Sequence, residues 1–217
     1  MLQTLNETNV RAMLLYVADK IIESKPLLTE VDSAIGDGDH GIGMAGGMEK
    51  AKAKLLATEE SGNAYAPFEL AGKAMLMSMG GASGVIFGSM FMAGAKGQPP
   101  LAELDAPALA ALLDKGLQAI QERGKAQVGD KTMVDALAPA VSAMHANEAK
   151  GLEEMLTAGE NAAAQGVEDT KPLQAKFGRS KSLMERAIGH QDAGATSVWI
   201  ILRSMREFVA SAGETTP

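Results

Sequence analysis

NETNVRAMLLYVADKIIES at residues 6–24 and TEVDSAIGDGDHGIG at residues 29–43 carry the two themes of this chain: an apolar-faced helix, then a junction rich in glycine and carboxylate. Asn6 is a good helix cap, and Val10, Leu14, Val17 and Ile21 recur at helical spacing on one face. Pro26 breaks that helix, and residues 29–43 read as an ordered loop. Outward from this pair, further helical runs fall near residues 44–57, 67–79, 83–96, 106–123, 132–146, 150–166, 172–188 and 194–212. Asp105 followed by Pro107 marks a helix start, while Gly124 and Gly189 mark stops. Pro139 predicts a kink or a late start within its helix. No valine/isoleucine alternation supports a sheet. About eight helices with mostly short connections predict an all-α antiparallel bundle.

Composition agrees with that reading. The 217 residues fit one domain spanning 1–217, and 46% hydrophobic content is enough for a core. Aromatics make up only 4%, so closely packed helices rich in alanine and leucine are expected. There are no cysteines, which removes disulfides, thiolate ligands and a cysteine nucleophile together. A net charge of −7 argues against nucleic acid as a partner, which requires a basic footprint. The N-terminus has polar and acidic residues where a secretion signal would be basic and then apolar. No stretch approaches the roughly 18 apolar residues of a membrane span. A cytoplasmic protein without a membrane partner is expected.

Asp32, Asp37 and Asp39 give the sharpest chemical signal. On a helix, Asp37 and Asp39 would point about 200° apart, whereas residues two apart in an extended loop project to the same side. Gly36, Gly38 and Gly41 give the backbone freedom to converge three carboxylates, which repel one another unless a cation intervenes. Hard oxygen ligands without thiols favour magnesium or calcium. An EF-hand fails, because its twelfth position counted from Asp37 is Met48 rather than glutamate. Magnesium bound by a few carboxylates plus substrate phosphates suits the loop better. The bland alternative is a solvated acidic turn capping the next helix at residue 44.

The other glycine junctions are ambiguous one at a time. Gly41-Ile-Gly-Met-Ala-Gly46 matches a dinucleotide fingerprint literally, but no strand precedes it. Gly80-Gly-Ala-Ser83-Gly84 opens a helix and offers backbone N–H groups to an anion, or is simply a tight turn. In the stretch from Gly124 to Met133, Lys125 or Lys131 could neutralise phosphate, although a surface lysine near a cap is the commoner case. Met133 is either adenine pocket or core. Arg179 can hold phosphate bidentately. Asp192 before Gly194 is either a helix cap or a ribose or amine contact, and His190 is either a general base or structural.

Taken together, IGDGDHG at 35–41, GGASG at 80–84, RGKAQVGDKTM at 123–133 and GRSKSLMERAIGHQDAGATS at 178–197 resemble the nucleotide-binding L subunit of dihydroxyacetone kinase, in order and over nearly the whole chain. The resemblance implies a closed barrel of eight antiparallel helices with the nucleotide, ADP or ATP, in the loops at one end. It implies that Asp32, Asp37 and Asp39 hold two Mg²⁺ ions bridging the phosphates. His40, Gly41, Ile42, Gly43, Ala82 and Ser83 match phosphate-side positions, and Gly124 and Met133 match the adenine pocket. Arg179, Asp192, Ala193 and Gly194 match the remaining nucleotide contacts. Gly43 departs from the family, which commonly carries asparagine there.

The implied partners are a second copy of the chain, a separate ketose-binding kinase subunit, and a phosphotransferase-system phosphodonor. In one family mechanism ATP is a substrate; in the other ADP stays bound as a coenzyme and is recharged. A free-standing L subunit favours the second. The expected chemistry is phosphoryl transfer to a small ketose by positioning and charge stabilisation. The competing readings are an ADP/ATP-sensing regulator without catalysis and an inert helical scaffold.

Overall fold

A computed structural model describes residues 2–214. Among them, nine α-helices account for nearly all regular structure: α1 (Glu7–Glu23), α2 (Lys25–Ile35), α3 (His40–Ala57), α4 (Ala66–Ser78), α5 (Gly81–Met92), α6 (Ala106–Gly124), α7 (Val134–Asn147), α8 (Leu152–Asp169) and α9 (Ala193–Glu214). Short 3₁₀ segments cover Glu148–Lys150 and Arg179–Ala187. The sheet content is one antiparallel pairing of Leu5–Asn6 with Glu103–Leu104. The helices starting near 6 and 106 begin where the caps predict: Asn6 accepts from the Asn9 N–H at 2.9 Å and Asp105 from the Ala108 N–H at 2.9 Å.

Eight of these helices close a ring. Each packs on the next in the order α1, α3, α4, α5, α6, α7, α8, α9, and α9 returns to α1. Each helix turns back along its predecessor, by way of α2 between α1 and α3 and of residues 170–192 between α8 and α9, so directions alternate. The ring interior is one continuous core that includes Met13, Val17, Met48, Phe68, Phe91, Leu109, Leu137, Met155, Ile201 and Met205. The closed all-α architecture is as expected.

The ninth helix, α2, forms where Pro26 and the glycine-rich run predict a break and a loop, and it lies outside the ring against α3 and the 3₁₀ segment Arg179–Ala187. Pro26 sits in its first turn, where a missing N–H costs nothing, so the proline starts a helix instead of ending one. The reverse error occurs at 172–188. No α-helix forms there; Gly178 has φ 67° and Met184 has φ 53°, both incompatible with helix continuation.

Glu7 ties the start of α1 to the segment between α3 and α4. Its buried carboxylate accepts the Ser61 N–H at 2.8 Å, the Asn63 N–H at 2.9 Å and the Ser61 hydroxyl at 3.2 Å. Burial pushes its pKa up, but these donors outweigh it and hold the group below the usual glutamate value. Removing this buried, ionised acceptor of two N–H groups in Glu7→Ala should cost about 1–3 kcal/mol in urea denaturation at pH 7. Because the folded pKa is lowered, the stabilisation is fully present above the unfolded value and is lost as pH falls through the folded one. The wild-type and Glu7→Ala stability curves should therefore converge in acid.

Alternation of direction has a consequence for function. Helices α3, α5, α7 and α9 begin at the same end of the barrel, and His40, Gly81 and Ala193, which open α3, α5 and α9, line one cleft with Met133, which precedes α7. Four helix N-termini bring four partial positive charges and unpaired N–H groups to that end.

Candidate functional site

The acidic junction is assembled from the end of one helix and the start of another. Asp32 lies on the last turn of α2, and Asp39 immediately precedes α3. Between them the chain makes a tight bend instead of the extended loop expected from sequence. Gly38 takes φ +76°, and a Cβ at Gly36 would collide with the Asp32 carboxylate. The bend places one carboxylate oxygen from each of Asp32, Asp37 and Asp39 within 4.8 Å of the others.

The electrostatics agree with a cation at this position. Desolvation, then the charges of Asp37 and Asp32, push the Asp39 pKa above its ordinary value. Arg179 already offers one positive charge, with Nε 3.0 Å from Asp37 Oδ2. Asp32 also receives the His40 N–H at 3.2 Å, so the capping alternative is partly right for this residue, although the capped helix starts at His40 and not at 44. An all-oxygen donor set of three converging carboxylates fits Mg²⁺.

A cleft of about 440 Å³ opens beside this cluster, within the usual range for a small-molecule site. Its second wall is the start of α5, where Gly80, Gly81, Ala82 and Ser83 present backbone without bulky side chains. Ile86 and Phe87, one turn further on, add an apolar surface. His40 spans these two walls. Its Nε2 lies 2.8 Å from the Ser197 hydroxyl and its ring tilts against Phe87 at 5.9 Å. Burial lowers its pKa, so the imidazole is neutral at physiological pH.

The third wall is Lys131, Thr132 and Met133, at the end of the loop that begins at Lys125. Asp135 shapes it by accepting the Gly129 N–H at 2.6 Å and the Thr132 N–H at 2.7 Å. Asp130 ties it to the following segment through Lys176 Nζ at 2.7 Å; that ion pair and the Gln127 N–H hold Asp130 below the usual carboxylate range. The fourth wall is Asp192-Ala193-Gly194. Asp192 caps α9 by accepting the Ala195 N–H at 2.7 Å. Although part of the residue remains accessible along the cleft, desolvation of its carboxylate dominates and pushes its pKa up to about 7.

Eleven sequence-predicted residues therefore line one cleft: Asp32, Asp37, Asp39, His40, Ala82, Ser83, Met133, Arg179, Asp192, Ala193 and Gly194. Four others stand back from it. Gly41 packs against Lys25 and Thr29 of α2, Ile42 is exposed, Gly43 has open space around it, and Gly124 lies behind Ile86, whose Cδ1 a Cβ added at Gly124 would meet at 3.3 Å. Lys125 caps α6 in a left-handed conformation away from the lining. His190 is exposed, and its backbone carbonyl, not its ring, is engaged. Lys131 is neither a surface lysine nor a free phosphate ligand: it is 1% exposed and donates to two carbonyls. Sequence reading missed Ile86 and Phe87 as lining, although their spacing from Ser83 places them on the same helix face.

Residues 34–207 match the DAK2 domain family model. The chain is 37% identical over 187 residues to the ADP-binding subunit DhaL of PEP-dependent dihydroxyacetone kinase 1 from Listeria innocua, covering 86% of this chain and 89% of the relative. It is 38% identical to the ADP-binding subunit DhaL of the PTS-dependent dihydroxyacetone kinase of Lactococcus lactis, covering 88% and 92%. Among solved structures it is similar to the dihydroxyacetone kinase from C. freundii in complex with AMP-PNP and Mg²⁺, with TM-score 0.71 and 25% identity. That match covers 95% of this chain but 35% of the solved one, so the chain spans about a third of that kinase.

Proposed function

The chain belongs to the DAK2 domain family, and from that premise we propose that it is the nucleotide-binding subunit of a kinase for dihydroxyacetone or a related small ketose. The observation that carries this reading is the junction of three converging carboxylates with a cleft rimmed by four helix starts. A cluster of three acids beside N–H-rich helix ends suits a diphosphate plus divalent ions, and suits neither partner alone.

Asp32, Asp37 and Asp39 would hold two Mg²⁺ ions. When bound, the metal neutralises phosphate charge and fixes the phosphates for in-line transfer. The N–H groups at the start of α5 and the Ser83 hydroxyl bind phosphate oxygens. Arg179, 76% exposed and joined to Asp37 across an open surface, is free to turn its guanidinium towards phosphate. Met133, Ile86 and Phe87 supply an apolar wall for the base and exclude water. The P–O bond to the nucleotide breaks as one forms to the ketose hydroxyl, whose proton leaves to a group on the ketose-binding subunit. This chain supplies positioning and charge; its half-buried His40 is committed to Ser197.

The donor we propose is a phosphotransferase-system protein that recharges ADP held as a coenzyme. The PEP- and PTS-dependent names of two relatives that cover most of this chain support it. The test combines the purified chain, a ketose-binding subunit, dihydroxyacetone and either ATP or the phosphodonor protein, with native mass spectrometry of the chain alone. ADP that survives dialysis, with ketose phosphate formed from the phosphodonor, is expected. Mg·ADP binding without ketose phosphate from either donor would leave a nucleotide sensor and overturn the kinase reading.

A further inference from the structure

Lys131 faces the nucleotide cleft yet has no part in the chemistry described above. Its side chain is 1% exposed, and its backbone holds φ +59°, a left-handed conformation that costs a non-glycine residue free energy. Such a conformation persists only where surrounding contacts over-determine it, and here they are visible. Nζ donates to the Thr170 carbonyl at 2.6 Å and to the His190 carbonyl. Thr170 caps the C-terminus of α8, and its carbonyl, which also accepts the Leu173 N–H at 3.2 Å, lies at the negative end of a helix, a natural seat for an ammonium. The other end of the same residue reaches the nucleotide wall, because the Thr170 hydroxyl accepts the Asp192 N–H at 2.9 Å. One lysine thus links the Met133 loop, the end of α8 and the turn that presents Asp192.

We propose that Lys131 is a positioning residue for nucleotide recognition, holding the Asp192-Ala193-Gly194 turn opposite Met133 and keeping the Asp192 carboxylate available as an acceptor for hydroxyl or amine donors of the nucleoside. This rests on the nucleotide reading of the cleft. The charges facing Asp192 are the Lys131 ammonium, which favours its ionised form, and the Asp135 carboxylate, which opposes it; the Ala195 and Gly194 N–H groups also favour it. His40, whose ring approaches the Ala193 backbone, is kept neutral by burial. Removing the ammonium leaves Asp135 unopposed and moves Asp192 towards its protonated form, which is a poorer acceptor. A lysine that merely filled space would have no such effect.

The test is calorimetry of Mg·ADP binding between pH 5.5 and 9 for the wild-type chain, Lys131→Met, Lys131→Arg, Asp192→Asn and the Lys131→Met/Asp192→Asn double variant. In the wild type, affinity should rise with pH through a midpoint near 7. Lys131→Met should bind about tenfold more weakly at pH 7.5, with its midpoint displaced upwards by about a unit, and Lys131→Arg should restore the midpoint. Asp192→Asn should flatten the profile relative to wild type, leaving the rise that the terminal phosphate's own ionisation near pH 6 gives every variant, and adding Lys131→Met to it should weaken binding by less than Lys131→Met does alone. Lys131→Met with wild-type affinity and midpoint would overturn the inference. If Lys131→Met does not fold, an Asp192→Asn profile superimposable on that of the wild type overturns it instead. Absence of Mg·ADP binding by the wild-type chain would overturn the nucleotide reading itself, a separable result.

Discussion

Asp37→Asn is expected to weaken magnesium-dependent binding of ADP by about 100-fold or more, equivalent to about 3 kcal/mol, while leaving the melting temperature nearly unchanged. Both halves come from where Asp37 stands. It projects from the bend between α2 and α3, is 39% exposed at its side chain, and its recorded partner is Arg179, itself 76% exposed. An ion pair so open to solvent contributes about 0–1 kcal/mol to stability, and removing one of three clustered negative charges relieves repulsion of the opposite sign. The fold therefore has little to lose. Metal binding has much to lose, because each carboxylate oxygen is a large fraction of a small donor set. Asp32→Asn is a less clean probe, since Asp32 also receives the His40 N–H at the start of α3. Isothermal titration of ADP with Mg²⁺ and with EDTA separates the effects: the variants should differ only in the presence of magnesium. Equal ADP affinities for wild type and Asp37→Asn with saturating magnesium would remove Asp37 from the metal site.

The reason these residues could be found from sequence is that they sit where local rules are strong. Caps at Asn6 and Asp105 act over three residues, and the glycine-spaced aspartates are confined to eight positions, 32–39, so short-range physics fixes both. The manner of convergence was not legible in the same way. An alternation argument placed Asp37 and Asp39 on one side of an extended loop, whereas Asp32 belongs to a helix and Gly38 reverses the chain. Pro26 hid α2 by reading as a break, and because only Leu28 and Ile35 of that helix are buried, no continuous apolar stripe marks it. At 172–188 the opposite happened. Only Ala175 and Ala187 of that segment are buried, with Leu183 packed beside them, while Phe177, Met184 and Ile188 are exposed, so the buried face is too small to stabilise a helix.

Lys131 marks the limit of sequence reading. Its two acceptors are backbone carbonyls 39 and 59 positions away, and any residue type can supply a carbonyl. Nothing in the letters around position 131 distinguishes a lysine that reaches them from one in solvent. The four retracted positions, Gly41, Ile42, Gly43 and Gly124, show a related effect: a motif runs continuously in sequence, but a helix turns each successive residue by about 100° and carries part of the motif away from the cleft.

Gly72 and Gly46 provide the second large expectation, because the same substitution should change sign between them. Glycine to alanine inside a helix ordinarily stabilises by about 0.5–1 kcal/mol, through propensity and unfolded-state entropy. At Gly46 on α3 a new Cβ meets nothing within 4 Å, so Gly46→Ala should show that gain. At Gly72 on α4 a Cβ would lie 2.6 Å from the Gly88 carbonyl oxygen of α5 and 2.8 Å from the Met92 backbone nitrogen. These are backbone atoms of a packed neighbour, so no rotamer change relieves the clash, and the two helices must separate. Overpacking of this kind costs about 1–3 kcal/mol, which exceeds the propensity gain; Gly72→Ala should be destabilised by about 2 kcal/mol and Gly72→Val by more than 3. The displaced helix α5 is also the one whose first turn presents Gly80 to Ser83 to the cleft. Gly72→Ala should therefore weaken Mg·ADP binding in the fraction that remains folded, whereas Gly46→Ala should not alter it. Urea denaturation of both variants decides the matter: a stabilised Gly72→Ala would mean that α4 and α5 do not approach through their glycines, and the second wall of the site would have to be built differently.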